Sequence, residues 1–244
     1  MNNLASQTVR DIALKIPATT RIFEELKIDY CCGGRKPLKE ACRNSGVNED
    51  YVIKKINEIE AAEVLEFDWT RASLSDLIEH IEDTHHVFTR NELGNLVPLF
   101  EKVLNAHGSS HPEIAEAMNI FLKLADDLTP HLQKEETVLF PYIRDLERRK
   151  TLNLSAPLPF FGTVQNPVRM MMMEHDTAGE LLKEMRETAL NYVPPPGACP
   201  SYTGLYHRLA ELERDLHRHI HLENNILFPR AIELEESFVT QELL

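Results

Sequence analysis

Apolar residues recur along this chain at intervals of three and four, the spacing of one helix face, and runs of alternating β-branched residues are almost absent. Over the first part of the chain the pattern comes in short pieces. SQTVRDIALKI (6–16) has Ser6 as a candidate N-cap, and PATTRIFEELKI opens with Pro17, which suits a first helical turn. Gly33 and Gly34 then break the chain. PLKEACRNSG opens on Pro37 and closes on Gly46, and NEDYVIKKINEIEAAEVLE (48–66) offers Asn48 as a cap with apolar residues at 52, 53, 56 and 59. These pieces predict a small helical domain over residues 1–67. The segment EFDWTRAS follows, with the boundary near Asp68, and either Ser73 or Ser75 can cap the next helix.

Four long helical patterns fill residues 68–244. They run roughly over 74–106, 112–149, 167–190 and 203–236. Pro98 predicts a kink or break in the first, and Pro130 and Pro141 interrupt the second. The connections SAPLPFFGTVQNP and NYVPPPGACPSY are rich in proline and glycine and read as loops. The expected fold is all-α: the small N-terminal helical domain, then a four-helix bundle.

Charge narrows the partners. The chain has 244 residues and a formal net charge of −13, with 39 acidic against 26 basic residues. Such a balance repels phosphate, which argues against nucleic acid and against anionic membrane surfaces. No apolar run is long enough to span a bilayer, and the N-terminus lacks the basic start and long apolar stretch of a secretory signal. Four cysteines (Cys31, Cys32, Cys42, Cys199) in a chain of this length do not make a disulfide framework. Free thiols in a reducing, cytoplasmic compartment are the expectation.

An internal repeat points to the chemistry. HLQKEETVLFP (131–141) and HIHLENNILFP (219–229) align at a constant offset of 88, pairing His131 with His219, Glu135 with Glu223 and Leu-Phe-Pro with Leu-Phe-Pro. Asp127 and Asp215 extend the match. A histidine also precedes each unit, His86 by 45 residues and His175 by 44. Residues four apart stack on one helix face, so each His-x-x-x-Glu can grip one ion. A single copy is common on solvated faces; two copies in register predict a paired metal site inside the bundle. Two imidazoles per metal with two bridging carboxylates would leave open positions, and this donor set suits iron, manganese or zinc. The absence of cysteine from the set argues against an iron–sulfur cluster there.

Several neighbours compete. His217 and His221 flank His219, but only His219 lies four residues before Glu223; the other two fit polar faces or an outer layer of the site. In HIEDTHH, helical phase favours His85, whereas the spacing to His131 favours His86. Methionines and Leu182 around His175 also fit a core histidine. Asp127 and Asp215 stand one turn before their histidines, placed either to accept an imidazole N–H or to face solvent. Glu174, beside His175, is a candidate proton-handling group.

DYCCGG in the small N-terminal domain, HxxxEExxLFP, MMMEHDxAGELL, PPPGAC and HIHLENNILFPR together resemble the repair-of-iron-centres family, over nearly the whole chain. The resemblance implies a haemerythrin-like bundle with two non-haem iron ions per chain, oxo- and carboxylate-bridged, held by His86, His131, Glu135, His175, His219 and Glu223. His86 takes the first position because the family's first ligand follows the segment that is LIEHI here (77–81) by five residues. The implied function is repair of iron–sulfur clusters damaged by nitric oxide or oxidative stress, by donating iron to the damaged proteins. The alternatives are nitric oxide reduction at the di-iron site, or binding and sensing of oxygen or nitric oxide. A homodimer is compatible with this reading. The family's Cys-Cys pair falls on Cys31 and Cys32, as redox or iron-transfer thiols or as a structural turn. The pair is expected in a domain apart from the metals, so a chain lacking residues 1–65 is expected to keep its di-iron centre. The loop at about 150–165 is longer than in short family members and is placed to alter access to the site or subunit packing.

Overall fold

A computed structural model describes residues 4–61 and 67–241. The described residues form helices joined by turns and loops, with one isolated bridge, Thr8 to Pro37, and no strand among them. The chain divides into two compact units, Met1–Ser73 with His217–Pro229, and Leu74–Leu216 with Arg230–Leu244.

The first unit holds four short helices: α1 (Val9–Lys15), α2 (Thr19–Glu25), α3 (Leu38–Asn44) and α4 (Glu49–Ala61). Thr8, rather than Ser6, caps α1, its hydroxyl accepting from Asp11 N–H at 3.0 Å. Ser6 is taken up in a 3₁₀ turn, Leu4–Ser6. Asn48 caps α4 by accepting from Tyr51 N–H, 3.0 Å away. The predicted continuation over 62–66 lies outside the described residues. Gly46 ends α3 with a φ of +69°, a conformation that a Cβ would strain. Val9, Ile12, Phe23, Tyr30, Leu38, Val52 and Ile56 form the core, each at most 1% exposed.

Residues 217–229 of the last long helix complete this unit. Glu24 receives the Tyr30 hydroxyl at 2.8 Å and lies 3.0 Å from His217 Nδ1. Asn225 donates its side-chain amide to the Tyr30 carbonyl at 3.2 Å. Pro229 has no N–H to offer the carbonyl four residues back, at Asn225. That carbonyl accepts from Arg10 Nη2 instead, at 3.1 Å. The compact unit that holds the N-terminal helices thus also includes residues 217–229.

The second unit contains α5 (Leu74–His80), α6 (Val87–His107), α7 (Glu113–Lys134), α8 (Phe140–Thr151) and α9 (Gln165–Thr188). It also holds most of α10 (Pro200–Leu222) and of α11 (Phe228–Gln241). Three π-helical stretches, Ile81–His86, Glu135–Leu139 and Glu223–Leu227, join α5 to α6, α7 to α8 and α10 to α11 into continuous helices. Neither Pro98 nor Pro130 breaks its helix. The carbonyls they orphan, at Gly94 and Asp126, belong to exposed residues that water can reach. At the start of α5 the Glu147 carboxylate accepts from Leu74 N–H at 2.7 Å, and from Ser75 N–H at 2.9 Å. Phe100, Phe121, Leu124, Leu182, Met185, Leu205 and Leu209, all with 0% exposure, interlock α6, α7, α9 and α10 into the core.

Candidate metal centre

Every π stretch carries a residue of the repeat at its edge. His86 ends the first, Glu135 begins the second, and Glu223 begins the third. The Leu-Phe-Pro of each copy explains two of them. Pro141 and Pro229 remove a helical N–H just past the stretch, so the ladder there reorganises to the wider π turn, a distortion common at functional sites.

Six side chains, His86, His131, Glu135, His175, His219 and Glu223, are each at most 2% exposed. They fall into two groups that could hold a metal ion, His86 with Glu135, His219 and Glu223, and His131 with Glu135, His175 and Glu223. Within a group one ligand atom from each residue lies within 4.8 Å of the others. Glu135 and Glu223 belong to both groups. The contacts agree: His86 Nε2 is 3.5 Å and His131 Nε2 3.4 Å from opposite oxygens of Glu135. His219 Nε2 is 3.1 Å from Glu223, and the Nε2 atoms of His131 and His175 are 3.1 Å apart. The repeat orders this arrangement. Exchanging His86 with His175, His131 with His219 and Glu135 with Glu223 turns one group into the other.

The outer nitrogens are held as well. His86 Nδ1 meets Glu136 at 2.7 Å, and the other Glu136 oxygen accepts from Arg90 at 2.6 Å. His131 Nδ1 meets Glu174 at 2.8 Å, and Glu174 in turn pairs with Lys134. A carboxylate on Nδ1 keeps the proton there and leaves the Nε2 lone pair turned inward. Burial pushes the Glu136 carboxyl up, but its bonds with His86 and Arg90 outweigh that and hold it below the usual range. Burial acts likewise on Glu174, and its bonds with Lys134 and His131 likewise win. Both outer carboxylates are therefore charged at neutral pH.

The remaining candidates lie elsewhere. Asp127 is exposed. Asp215 accepts from His85 Nδ1 at 2.9 Å, so it serves the histidine next to His86. Burial lowers the His221 pKa to about 4, keeping that ring neutral. Cys31 and Cys32 stand outside both groups. Asp29 builds their turn: it accepts from the N–H groups of Cys31, Cys32 and Gly33 at 3.0, 3.1 and 2.8 Å. A Cβ on Gly34 would come within 2.4 Å of the Tyr30 carbonyl, so that position admits only glycine. The two sulfurs are 3.8 Å apart and neither is in a disulfide. The hydrogen bond to Cys32, with burial, pushes the Cys31 thiol well above its ordinary range. Sequence reasoning missed Glu136, Arg90 and Lys134. The signal for Glu136 was present in the doubled acid of HxxxEE, whereas the two cations pair across helices and leave no trace in spacing.

The donor set fits a metal. Two fully buried carboxylates among four imidazoles are a poor arrangement without cations and a good one with them. Comparisons with known proteins agree. Residues 76–231 match the haemerythrin HHE cation binding domain. Residues 5–60 match ScdA_N, a domain of unknown function (DUF542). A probable iron–sulfur cluster repair protein of Haemophilus influenzae is 35% identical over 232 residues, covering 94% of this chain and 98% of the relative. The iron–sulfur cluster repair protein YtfE of Escherichia coli O81 is 34% identical over 227 residues, covering 93% and 96%. The YtfE protein of Escherichia fergusonii shows the same identity and coverage. This chain belongs to the haemerythrin HHE family and, within it, to the family of iron–sulfur cluster repair proteins.

Proposed function

We propose that this protein binds two irons per chain and donates them to iron–sulfur proteins whose clusters nitric oxide or peroxide has damaged. The observation that carries this reading is the pair of four-residue groups sharing Glu135 and Glu223. In that arrangement His86 and His219 would serve one iron, His131 and His175 the other, and the two shared carboxylates would bridge them. Carboxylate bridging, with an oxo group completing the bridge, is the family's pattern. Bound there, the iron supplies the ions that a damaged cluster has lost; it is cargo.

The chain's own residues do two things. They exclude water, since all six donors are buried. They also bind reversibly, because imidazole and carboxylate give up a metal when protonated, more readily than a thiolate cage does. Glu136 and Glu174 set the histidine tautomer needed for binding. The cytoplasm, where such clusters are made and used, suits a chain whose four cysteines are all free.

The test is to incubate the iron-loaded protein anaerobically with an iron–sulfur enzyme inactivated by nitric oxide. Enzyme activity should return as iron leaves the donor. Glu135→Leu and Glu223→Leu should fail to restore it. Recovery that is equal with the iron-free protein would refute the proposal, as would an as-purified metal other than iron.

A further inference from the structure

Cys199 lies outside the metal groups, and its surroundings are those of a reactive thiol. It occupies the position just before α10, where its carbonyl accepts the helix's first bond, from Thr203 N–H at 3.0 Å. His107, the last residue of α6, places Nε2 3.1 Å from the Cys199 sulfur. The imidazole is seated firmly. Its ring lies 5.5 Å from that of Tyr202, a fully buried residue whose hydroxyl bonds Glu113 and Tyr206, each at 3.2 Å. His111 stands nearby but is engaged by Glu113 at 2.9 Å, so these side chains do not close around an ion. A nucleophile with a base in hydrogen-bond reach, the base oriented by its neighbours, is the arrangement that activates a thiol. The helix amides and His107 pull the Cys199 pKa down, whereas Cys31 and Cys42 are pushed up.

We propose that Cys199 and His107 form a thiol site that reduces small hydroperoxides. The sulfur, as thiolate, attacks the distal peroxide oxygen. An S–O bond forms and the O–O bond breaks, the sulfur losing two electrons to the peroxide. His107, having taken the thiol proton, gives it to the departing oxygen, which leaves as water or an alcohol, and Cys199 is left as a sulfenic acid. A low-molecular-weight thiol then condenses with it, releasing water, and a second such thiol frees Cys199 by exchange. Cys199, a half-buried residue beside the exposed Pro200, admits a molecule as small as hydrogen peroxide. This activity is independent of iron donation.

The test uses the full-length, iron-loaded protein at pH 7. Equimolar hydrogen peroxide is added, sulfenic acid is trapped with dimedone, and the adducts are mapped by peptide mass spectrometry. In parallel, iodoacetamide labelling gives a rate for each cysteine. Cys199 should carry the dimedone adduct, and should alkylate about tenfold faster than Cys42, whose thiol burial pushes up. His107→Gln should slow Cys199 about tenfold and leave Cys42 unchanged. Three results each overturn the proposal: no adduct at Cys199, alkylation no faster than at Cys42, or an unchanged Cys199 rate in His107→Gln. The wild-type comparison decides even if the variant folds poorly.

Discussion

Glu135 and Glu223 are buried carboxylates set among imidazoles, and replacing such a buried polar group by an apolar one of similar volume often stabilises a fold. Their placement serves binding at the expense of the empty protein. Glu135→Leu should therefore do two opposite things. Metal content should fall from about two irons to fewer than one per chain, because both groups lose a ligand. The metal-free protein should become more stable by about 1–4 kcal/mol, read from urea denaturation, because an apolar side chain replaces an ion in the core. Glu136→Gln and Glu174→Gln change only the partner of a ligand's outer nitrogen. Each should weaken metal binding about 10- to 100-fold, measured by competition with a chelator, and barely shift the metal-free denaturation midpoint. At this scale the sequence was legible where partners share a helix. His131 and Glu135, four apart and repeated 88 residues later, could be read from spacing alone. Glu136 on His86 and Asp215 on His85 join different helices, and such pairs depend on packing that no local pattern encodes.

At the scale of elements, proline acts through the carbonyl it strands. At Pro98 and Pro130 the stranded group belongs to an exposed residue and the helix continues. At Pro229 it is the carbonyl of buried Asn225, and Arg10 supplies the missing donor. Arg10→Ala should cost about 1–3 kcal/mol, the penalty of a buried acceptor left without its bond. In a Pro229→Ala background the helix can supply its own N–H, so the cost of Arg10→Ala should shrink by about 1 kcal/mol. A double-mutant cycle on the metal-free protein measures that coupling. Glu147 plays a similar part for α5, and Glu147→Gln should cost about 1 kcal/mol in thermal denaturation. Periodicity located the long helices, because their apolar faces repeat every three to four residues. It did not reveal the π stretches, which add a residue per turn without altering composition.

On the scale of the whole molecule, residues 217–229 belong with the N-terminal helices. Asp68 was a natural boundary in the sequence, since the short helical pieces end and the long helical patterns begin there. Helical patterns show where a chain can be cut into elements, not which distant element completes a core. Removing residues 1–65 would strip His217 of Glu24, and Asn225 of Arg10 and Tyr30. These contacts flank His219 and Glu223 on the same helix. We expect the shortened chain to bind iron more weakly than the full chain, by at least tenfold in chelator competition. That reverses the expectation drawn from the sequence, and equal retention of iron would restore it.

The helix from Pro200 onward also sets the order in which the protein can be finished. A ribosome delivers residues 1–73 well before residues 217–229, which share their unit. His86, His131, Glu135 and His175 emerge before α10, whereas His219 and Glu223 arrive with it. For most of translation the nascent chain thus carries an unfinished N-terminal core and a partial set of donors. Premature termination anywhere before α10 yields a product that can complete neither, so a truncated polypeptide is unable to trap iron in a full four-residue group. Only a chain synthesised through Glu223 holds every residue of either group.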